Sequence, residues 1–306
     1  SCPSGEDIRG WLQIVRGIEK APEGMSMSEY AFRRSTTANP FPSQMGRVCP
    51  APCQSGCNRN EVDDYVGINA VEQFIGDKAF KENYKFDVAP KLLKERVAII
   101  GGGPAGLSAA FQLRKMGYAS TIFEEREELG GMMRYGIPNY RTPRDILDAE
   151  INRILELGDI EIVLNKRVGK DISLEEVENS HDAVLWTIGC WNGKALPLEG
   201  SDAPNCLSGV AFLEAFCQGR LKVGSKKVVC VGGGDTSIDV VSVARRLGHI
   251  SNLNPQESPE SIVHGYVAQD VSESAVKEGA DVTLTSLFEK EEMTAAEQEV
   301  NDAMHE

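Results

Sequence analysis

The sequence lacks a long apolar run: no stretch of its 306 residues approaches the roughly 18 residues that a membrane-spanning helix needs. Its start, SCPSGEDIRG, has neither the basic region nor the apolar core of a secretory signal peptide. Basic residues are few, since 32 Lys and Arg stand against 46 Asp and Glu and give a net charge of −14, which argues against a nucleic-acid partner. These absences predict a cytoplasmic protein with no membrane span.

An initiator methionine is also missing, and the sequence stops inside a predicted helix over residues 294–306. We therefore expect a fragment of a longer protein, and the length predicts about two domains. The four histidines show no spacing typical of metal ligands, so cysteine is the residue type that remains for a metal centre.

Eight cysteines are present, and three of them form the only close group, in the stretch CPAPCQSGC over residues 49–57. A secreted disulfide scaffold would be smaller and denser in cysteine, so clustered cysteines in a cytosolic chain indicate metal binding or redox chemistry. No Cys-x-x-Cys pair occurs, which argues against a redox-active disulfide. Pro50 and Pro52 predict that this stretch is not a regular helix.

A repeat of 22 residues is the most informative pattern. Residues 96–117 read RVAIIGGGPAGLSAAFQLRKMG, and residues 227–248 read KVVCVGGGDTSIDVVSVARRLG. Each copy has a short apolar run bounded by glycines, which is typical of a buried parallel strand, and then apolar residues at helical spacing. The repeat therefore predicts two units of strand, glycine loop and helix.

The first glycine loop has the pattern Gly101-x-Gly103-x-x-Gly106. The first glycine permits a tight turn, the second lets a pyrophosphate approach the backbone, and the third lets the helix pack closely on the strand. The helix N-terminus supplies N–H groups for the phosphates. Glu124 ends the next predicted strand, 120–123, where a carboxylate binds a ribose diol.

The second loop has the pattern Gly232-x-Gly234-x-x-Ser237, and Asp235 and Thr236 are predicted to begin its helix. The next convincing strand comes late, at residues 280–284, so residues 249–279 are interpreted as an insertion with a helix that begins near Ser258. A surface elaboration and a partner-docking element remain open for this insertion. Two dinucleotide sites on one chain are most simply explained by a flavin and a nicotinamide that exchange hydride.

Four motifs in the same order resemble the glutamate synthase small-subunit family, which includes the N-terminal half of dihydropyrimidine dehydrogenase. They are GRVCPAPCQSGC (46–57), the first glycine loop, LGGMMRYGIPNYR (129–141) and GGGDTSIDVV (232–241). The resemblance covers nearly the whole sequence. It implies a helical domain with [4Fe-4S] clusters, an FAD domain and an NAD(P)H domain.

The resemblance also implies roles for individual residues. FAD would be held by Gly101, Gly103, Pro104, Ala105, Gly106, Glu124, Gly131, Met132, Arg134 and, through its backbone, Val168. The nicotinamide nucleotide would be held by Gly232, Gly234, Asp235, Thr236 and Ser237, with Asp239 as a further match. No residue is expected to be catalytic, because the cofactors supply the chemistry.

For the metal centre, the resemblance implies that Cys2, Cys49 and Cys53 bind one [4Fe-4S] cluster with Glu72 as the fourth ligand. Gln73 remains an alternative to Glu72, and a solvent-exposed helix carboxylate is the alternative role for Glu72. Cys57 would join three cysteines upstream of Ser1 in a second cluster. A zinc site formed by the four N-terminal cysteines also remains open.

The residues at the position that would contact the 2′-phosphate of NADPH depart from the pattern of the family. Where the family has two arginines for the 2′-phosphate of NADPH, this sequence has Ser286, Leu287, Phe288 and Glu289. A phosphate dianion would lack charge-assisted partners there, so we predict a preference for NAD(H) over NADP(H). Lys290, Arg245 and Arg246 are the cations that would counter this prediction.

The predicted fold is α/β, with two Rossmann-like dinucleotide-binding domains preceded by an α-helical iron–sulfur domain. The expected boundaries are 1–88 for the helical [4Fe-4S] domain, 89–197 for the first part of the FAD domain and 198–306 for the NAD(P)H domain.

The predicted function is that of an NAD(P)H:acceptor oxidoreductase with a redox protein or a large catalytic subunit as partner. The insertion at residues 249–279 and the C-terminal tail most resemble one branch of this family, the iron–sulfur flavoprotein encoded with dissimilatory sulfite reductase. The alternatives are a glutamate synthase small subunit and a non-catalytic electron-wiring subunit.

Overall fold

The computed structural model describes residues 2–62, 65–193, 197–221, 227–247, 281–286, 289–295 and 297–305. The chain forms two compact units. The first consists of Ser1–Gly131 and Thr142–Gly189, and the second of Met132–Arg141 and Cys190–Glu306. No helix among the described residues is long and apolar enough to cross a bilayer.

The first unit begins with short helices that pack around Trp11, Ile14 and Phe32, all fully buried. In chain order they are α1 (Ile8–Val15), α2 (Met27–Ser35), α3 (Pro42–Val48), α4 (Pro52–Ser55), a 3₁₀ turn (Asn58–Glu61) and α5 (Ile68–Lys81). Helix α1 ends at Val15, shortly before Gly17, which adopts the left-handed conformation (φ +73°) that commonly follows the end of a helix. The Pro-rich break at residues 39–42 lies between α2 and α3, with Pro42 at the first helical position.

Strands and helices alternate over the rest of the first unit, as the sequence predicts. The elements are β1 (Arg96–Ile100), α6 (Pro104–Met116), β2 (Ala119–Phe123), α7 (Met132–Tyr135), α8 (Arg144–Leu155), β3 (Ile160–Val163), α9 (Leu174–Ser180) and β4 (Ala183–Trp186), of which α7 belongs to the second unit. The four strands form a parallel sheet in the order β3-β2-β1-β4, in which Ile99 pairs with Ile122 and with Leu185. All five β2 residues are buried, as expected for a central strand of a parallel sheet.

The second unit contains the second copy of the repeat. Its elements after α7 are α10 (Gly209–Cys217), β5 (Lys227–Val231), α11 (Asp235–Leu247), β6 (Asp281–Thr285), a 3₁₀ turn (Lys290–Glu292) and α12 (Glu297–His305). Strands β5 and β6 pair in parallel, and an apolar cluster around Phe216 and Val243 joins α10 to α11. The late strand therefore pairs with the strand before the second glycine loop. The predicted insertion, 249–279, and its helix lie outside the described residues.

Helix α3 carries Cys49 at its C-terminal end and is held on two sides. Its Gly46 lies so close to α5 that a Cβ would stand 2.4 Å from the Gln73 backbone nitrogen. On the other side, Glu150 of α8 accepts hydrogen bonds from the Ser43 and Gln44 backbone N–H groups, at 2.8 and 3.0 Å. Glu150 is fully buried, and this burial raises its pKa to about 8. A side chain of the α/β sheet region thus fixes the helix that leads to the cysteines.

We predict that Glu150→Ala destabilises the protein by about 2–5 kcal/mol, because two buried N–H groups lose their acceptors. The matched control is Glu156→Ala, at the C-terminal end of α8, where the exposed carboxylate pairs with Lys85 at 2.5 Å. Thermal unfolding of the full-length protein and both variants measures the difference. Equal melting temperatures for the two variants would contradict the role of Glu150.

Candidate cofactor sites

The first glycine loop connects β1 to α6, and the fold itself requires two of its glycines. Gly101 has a φ of +110°, and a Cβ there would lie 2.4 Å from the Thr187 carbonyl oxygen. A Cβ on Gly106 would lie 2.0 Å from the Gly101 carbonyl oxygen and 3.1 Å from Ile99 Cγ2. These contacts are the tight turn and the close helix–strand packing that the sequence pattern predicts.

Gly103 differs from these two glycines. Its φ of −77° is accessible to any residue, and apart from its chain neighbours the nearest atom to a Cβ would be Gly131 Cα, at an ordinary 3.6 Å. The protein alone therefore does not require glycine at this position. It stands at the N-terminus of α6, just before Pro104 and Ala105, where the first backbone N–H groups of a helix are available to an anion. This open position fits a dinucleotide pyrophosphate.

Glu124 is fixed at the end of β2 by the loop backbone. Its Oε2 accepts from Gly102 N at 2.7 Å and its Oε1 accepts from Arg126 N at 2.9 Å, and the side chain is buried. A carboxylate has about four acceptor sites, so two remain for a ribose diol. The residue stands beside the loop, as the predicted ribose contact requires.

The Gly130–Gly131 pair lies directly on the first glycine loop. Gly130 N donates to the Gly102 carbonyl oxygen at 2.9 Å, and a Cβ on Gly131 would lie 2.7 Å from Gly103 Cα. Met132 and the buried Arg134 follow in α7, which belongs to the second unit. The chain thus passes from the predicted flavin loop into the second unit within one residue.

Val168 pairs through an isolated parallel bridge with Ile172 and packs against an apolar cluster that contains Ala98, Ile100 and Phe123. These residues belong to the strands that flank the first loop. The structure therefore places Val168 next to the sheet of the first unit, while its predicted backbone contact with adenine stays a prediction.

The second glycine loop connects β5 to α11, and α11 begins at Asp235 as predicted. Gly232 has a φ of +146°, and a Cβ there would lie 2.5 Å from Ser237 Oγ. Ser237 N donates to the Gly234 carbonyl oxygen at 2.8 Å. The serine that replaces the third glycine therefore packs on the loop itself, and Thr236 occupies the first turn of α11 beside it.

The segment after β6 covers the second loop, a contact that no sequence motif indicates. Ala295 N donates to the Gly233 carbonyl oxygen at 3.0 Å, and Thr294 Oγ1 would lie 3.3 Å from a Cβ on Gly234. Ser286 Oγ would lie 2.7 Å from a Cβ on Gly233, whereas Leu287 and Phe288 lie outside the described residues. The loop is therefore contacted by residues that follow it by about fifty to sixty positions in the sequence.

Arg141 forms an ion pair with Asp239 of α11, the helix that follows the second loop. Arg141 Nη1 donates to Asp239 Oδ1 at 2.8 Å, and Arg141 Nη2 donates to Glu299 Oε1. Burial, and secondarily the charges of Asp235 and Asp239, raise the pKa of Glu299 to about 7, although Arg141 opposes this rise. Asp239 matches the predicted motif, whereas Arg141 and Glu299 were not predicted as site residues.

Three of the cysteines and Glu72 come together in the helical region. The pKa of the Cys49 thiol is raised by burial first and then by the nearby charges of Glu72, Cys2 and Glu6. Burial also raises the pKa of Cys53, with Cys49 and Cys2 as the strongest charged neighbours. Cys2, Cys53 and Glu72 are therefore all electrostatic neighbours of Cys49.

Glu72 is not a solvent-exposed helix carboxylate, since only 6% of it is accessible. It accepts from Asn39 Nδ2 at 2.7 Å, and burial raises its pKa to about 9. Glu6, which was not predicted as a site residue, adjoins Glu72 and Asn39. Its only signal in the sequence is its position four residues after Cys2.

Cys57 lies just before the 3₁₀ turn, four residues after Cys53, and it is not among the strongest charged neighbours of Cys49 and Cys53. The expectation that the two prolines prevent a regular helix holds at Cys49–Ala51, where Ala51 is left-handed (φ +49°), but it is wrong after Pro52. There the proline occupies the first position of the short helix α4, which contains Cys53.

Within the described ranges, no group of three or more His, Cys, Asp and Glu side chains is arranged to hold a single metal ion. This finding gives the zinc alternative no support. The ligands of a four-iron cluster bind separate iron atoms and stand farther apart than the ligands of one ion, and thiolates are the usual iron ligands. The three thiols and the buried carboxylate fit a [4Fe-4S] cluster by their donor chemistry.

Two glycine-rich nucleotide loops in one chain define a dinucleotide-binding oxidoreductase. Residues 95–306 match the family described as Pyridine nucleotide-disulphide oxidoreductase, and residues 1–84 match Dihydropyrimidine dehydrogenase domain II, 4Fe-4S cluster. The chain therefore belongs to the pyridine nucleotide-disulphide oxidoreductase family, with an N-terminal 4Fe-4S region. The predicted fold class and the resemblance to the glutamate synthase small-subunit family are confirmed.

Among curated proteins, the chain is 39% identical over 257 residues to the NADPH-Fe(3+) oxidoreductase subunit beta of Geobacter sulfurreducens, covering 81% of this chain and 36% of that protein. It is 33% identical over 264 residues to the Glutamate synthase [NADPH] small chain of Bacillus subtilis, covering 80% and 53%. Mycobacterium tuberculosis FprA in complex with NADPH shares the fold, with a TM-score of 0.55 at 17% identity, over 69% of this chain and 47% of that one. The chain thus spans about a third to a half of the length of these relatives.

Proposed function

We propose that this chain carries the cofactor-binding part of an NAD(P)H:acceptor oxidoreductase that passes electrons between a nicotinamide nucleotide, FAD, a [4Fe-4S] cluster and a protein partner. The observation that carries the proposal is the open backbone at Gly103, at the N-terminus of α6, where the fold alone would accept a side chain. The second glycine loop is proposed as the nicotinamide nucleotide site. Cys2, Cys49 and Cys53 are proposed as thiolate ligands of the [4Fe-4S] cluster.

When bound, FAD takes a hydride from the nicotinamide and gives up its electrons one at a time. The residues of this chain bind and orient the cofactors. Gly101, Gly103, Pro104, Ala105 and Gly106 receive the FAD pyrophosphate, Glu124 the ribose and the Val168 backbone the adenine, while Gly131, Met132 and Arg134 line the flavin. Gly232, Gly234, Asp235, Thr236 and Ser237 receive the nicotinamide nucleotide. Cys2, Cys49, Cys53 and Glu72 hold the cluster, and Cys57 contributes to a second one.

The test is the visible spectrum of the full-length protein, purified without oxygen, before and after addition of NADH or NADPH. We expect flavin bands on a broad iron–sulfur background, and we expect both to bleach with one of the nucleotides. Flavin bleaching without an iron–sulfur background would make the N-terminal cysteines a structural motif. A spectrum that ignores both nucleotides would contradict the proposed function.

The partner is a redox protein or a large catalytic subunit. Two relatives of this chain are named as a subunit beta and as a small chain, which supports a role as one component of a larger assembly. We place the protein in the cytoplasm, where cysteines stay reduced and are available to bind a cluster. A glutamate synthase small subunit is the second candidate, and co-purification of a glutamine-dependent large subunit with the native protein would favour it over a sulfur-metabolism partner.

We predict that NADH is preferred over NADPH, because the tail after β6 offers Ser286 and Glu289 where a 2′-phosphate requires cations. The expected ratio of kcat/KM is about tenfold in favour of NADH, the effect of losing one charge-assisted contact of about 1.4 kcal/mol. Steady-state reduction of an artificial acceptor by the full-length protein measures both constants. Both curated relatives described above carry NADPH in their names. A kcat/KM ratio in favour of NADPH would agree with those names and would contradict the prediction.

A further inference from the structure

Helix α5 carries the predicted cluster ligand Glu72 and also holds the backbone of a second predicted ligand. Asn69, one turn before Glu72, donates from Nδ2 to the Cys49 carbonyl oxygen at 2.7 Å. A Cβ on Gly76, one turn after Glu72, would lie 2.4 Å from the Ser43 backbone nitrogen of α3. The helix is therefore fixed against α3, and the Glu72 backbone has little freedom to move relative to Cys49.

The Glu72 side chain is oriented by an amide from another segment. Asn39, in the turn between α2 and α3, donates from Nδ2 to Glu72 Oε1 at 2.7 Å. Glu6 is a further neighbour of both side chains. Only 6% of Glu72 is exposed, so water does not readily replace the amide when Asn39 is changed. The orientation of this buried carboxylate therefore depends on Asn39.

Asn39 is itself held in one orientation. Its Oδ1 accepts from the Phe41 backbone N–H group at 2.9 Å, and Phe41 is the N-cap residue of α3. A backbone N–H group can only donate, so the oxygen of the amide faces Phe41 and the NH₂ group faces Glu72. Pro40 follows directly and favours an extended backbone at Asn39. The donor is therefore in place independently of a metal.

We propose that Asn39 is a positioning residue of the [4Fe-4S] site: its amide holds the Glu72 carboxylate in the orientation that binds iron and stabilises the negative charge of that ligand. This inference rests on the proposed function. Hydrogen bonds to metal ligands orient them and tune the metal, and loss of such a partner commonly costs about 10–100-fold in metal affinity. A donor to a negatively charged ligand also favours the reduced, more negative cluster.

Two substitutions of Asn39 separate its hydrogen bond to Glu72 from its other properties. Asn39→Leu keeps nearly the same shape and adds no charge, but it removes both the donor to Glu72 and the acceptor for the Phe41 N–H group. Asn39→Asp keeps an acceptor for Phe41 and removes the donor, but it adds a negative charge. Loss of the donor to Glu72 is the change that the two variants share.

The experiment uses the full-length protein, purified without oxygen, and two readouts that need no nucleotide. The rate of iron release to a chelator measures how firmly the cluster is held. A redox titration followed by electron paramagnetic resonance measures its reduction, and the signal of this cluster is the one that Cys49→Ser removes. For both Asn39 variants, we expect iron release about 10–100-fold faster. At a fixed potential, we expect a ratio of reduced to oxidised cluster about tenfold lower, the effect of one charge-assisted hydrogen bond.

Gln112→Leu is the matched control. Gln112 of α6 donates from Nε2 to the Thr37 carbonyl oxygen at 3.0 Å, so it holds the turn that contains Asn39 through the backbone, two residues away from the amide. This variant should leave both readouts unchanged. An effect equal to that of the Asn39 variants would show that a loosened turn is the cause, and it would overturn the inference.

The remaining outcomes also decide. An effect in Asn39→Leu alone would assign the role to the Phe41 contact, and an effect in Asn39→Asp alone would assign it to the added charge. Either result, or no effect in both variants, would overturn the inference. Failure of both variants to assemble this cluster at natural flavin content is the extreme of the expected result, whereas loss of flavin as well would show a general folding defect and overturn it.

Failure of this inference differs from failure of the proposed function. If the natural full-length protein contains no iron and sulfide, the proposed function itself fails. A natural protein with its cluster, beside Asn39 variants that match it in both readouts, would contradict the role of Asn39 alone.

Discussion

Gly103→Ala is expected to leave the protein folded and to prevent FAD binding. The nearest atom to the added Cβ, chain neighbours aside, is Gly131 Cα at 3.6 Å, an ordinary contact, so the fold accommodates alanine. The methyl group would stand where the pyrophosphate approaches the backbone, and we expect FAD affinity to fall so far that the purified variant contains no flavin. Flavin content after purification and FAD titration of the flavin-free protein measure the change.

Gly106→Ala is the informative counterpart in the same loop. Its Cβ would lie 2.0 Å from the Gly101 carbonyl oxygen, so the helix must move away from the strand even without FAD. We therefore expect this variant to lose thermal stability in the flavin-free state, whereas Gly103→Ala does not. If Gly103→Ala binds FAD with the natural affinity, the first loop does not receive the pyrophosphate.

Cys49→Ser is the second variant with a large expected effect, and it should remove one cluster. Cys49 is the thiol that adjoins Cys2, Cys53 and Glu72, and an iron–sulfur cluster depends on thiolate ligands. We expect a loss of about four iron atoms and about four sulfides per chain relative to the natural full-length protein. Iron and sulfide analysis, with the visible spectrum, measures the loss.

Cys57→Ser is the matched control within the same nine residues. The family resemblance assigns Cys57 to a second cluster, so this variant should keep the cluster of Cys2, Cys49 and Cys53 and should change only the second one. The two variants should therefore differ in the signal that remains in electron paramagnetic resonance. Identical spectra after both substitutions would contradict the grouping of the ligands, and zinc in place of iron would contradict the cluster itself.

Patterns that are local in sequence predicted local structure well. Each glycine loop links one strand to one helix within a few residues, so steric rules set the turn at Gly101 and the helix start at Asp235. The helices α2, α3 and α4 were not predicted individually, because they are only four to nine residues long and are separated by proline-rich breaks. At such lengths packing, and not propensity, decides helix formation.

Contacts between residues that are far apart in the sequence could not be predicted from the sequence alone. Glu150 bonds to Ser43 from 107 positions away, and Arg141 bonds to Asp239 from 98 positions away. A charged residue on a predicted helix has no pattern that indicates burial, because its partner is defined only by the tertiary fold. The same holds for the half-buried Glu6 and the buried Glu72, which are brought together by the packing of the N-terminal helices.

The central claim is that electrons from the nicotinamide reach the cluster through the flavin. The most direct test is electron paramagnetic resonance of the full-length protein, frozen after anaerobic addition of NADH or NADPH, for the natural chain and for Gly103→Ala. We predict a reduced-cluster signal in the natural protein with one of the nucleotides and none with either in the variant, while dithionite produces the signal in both. An equal signal in the flavin-free variant, or no signal in the natural protein with either nucleotide, would contradict the account.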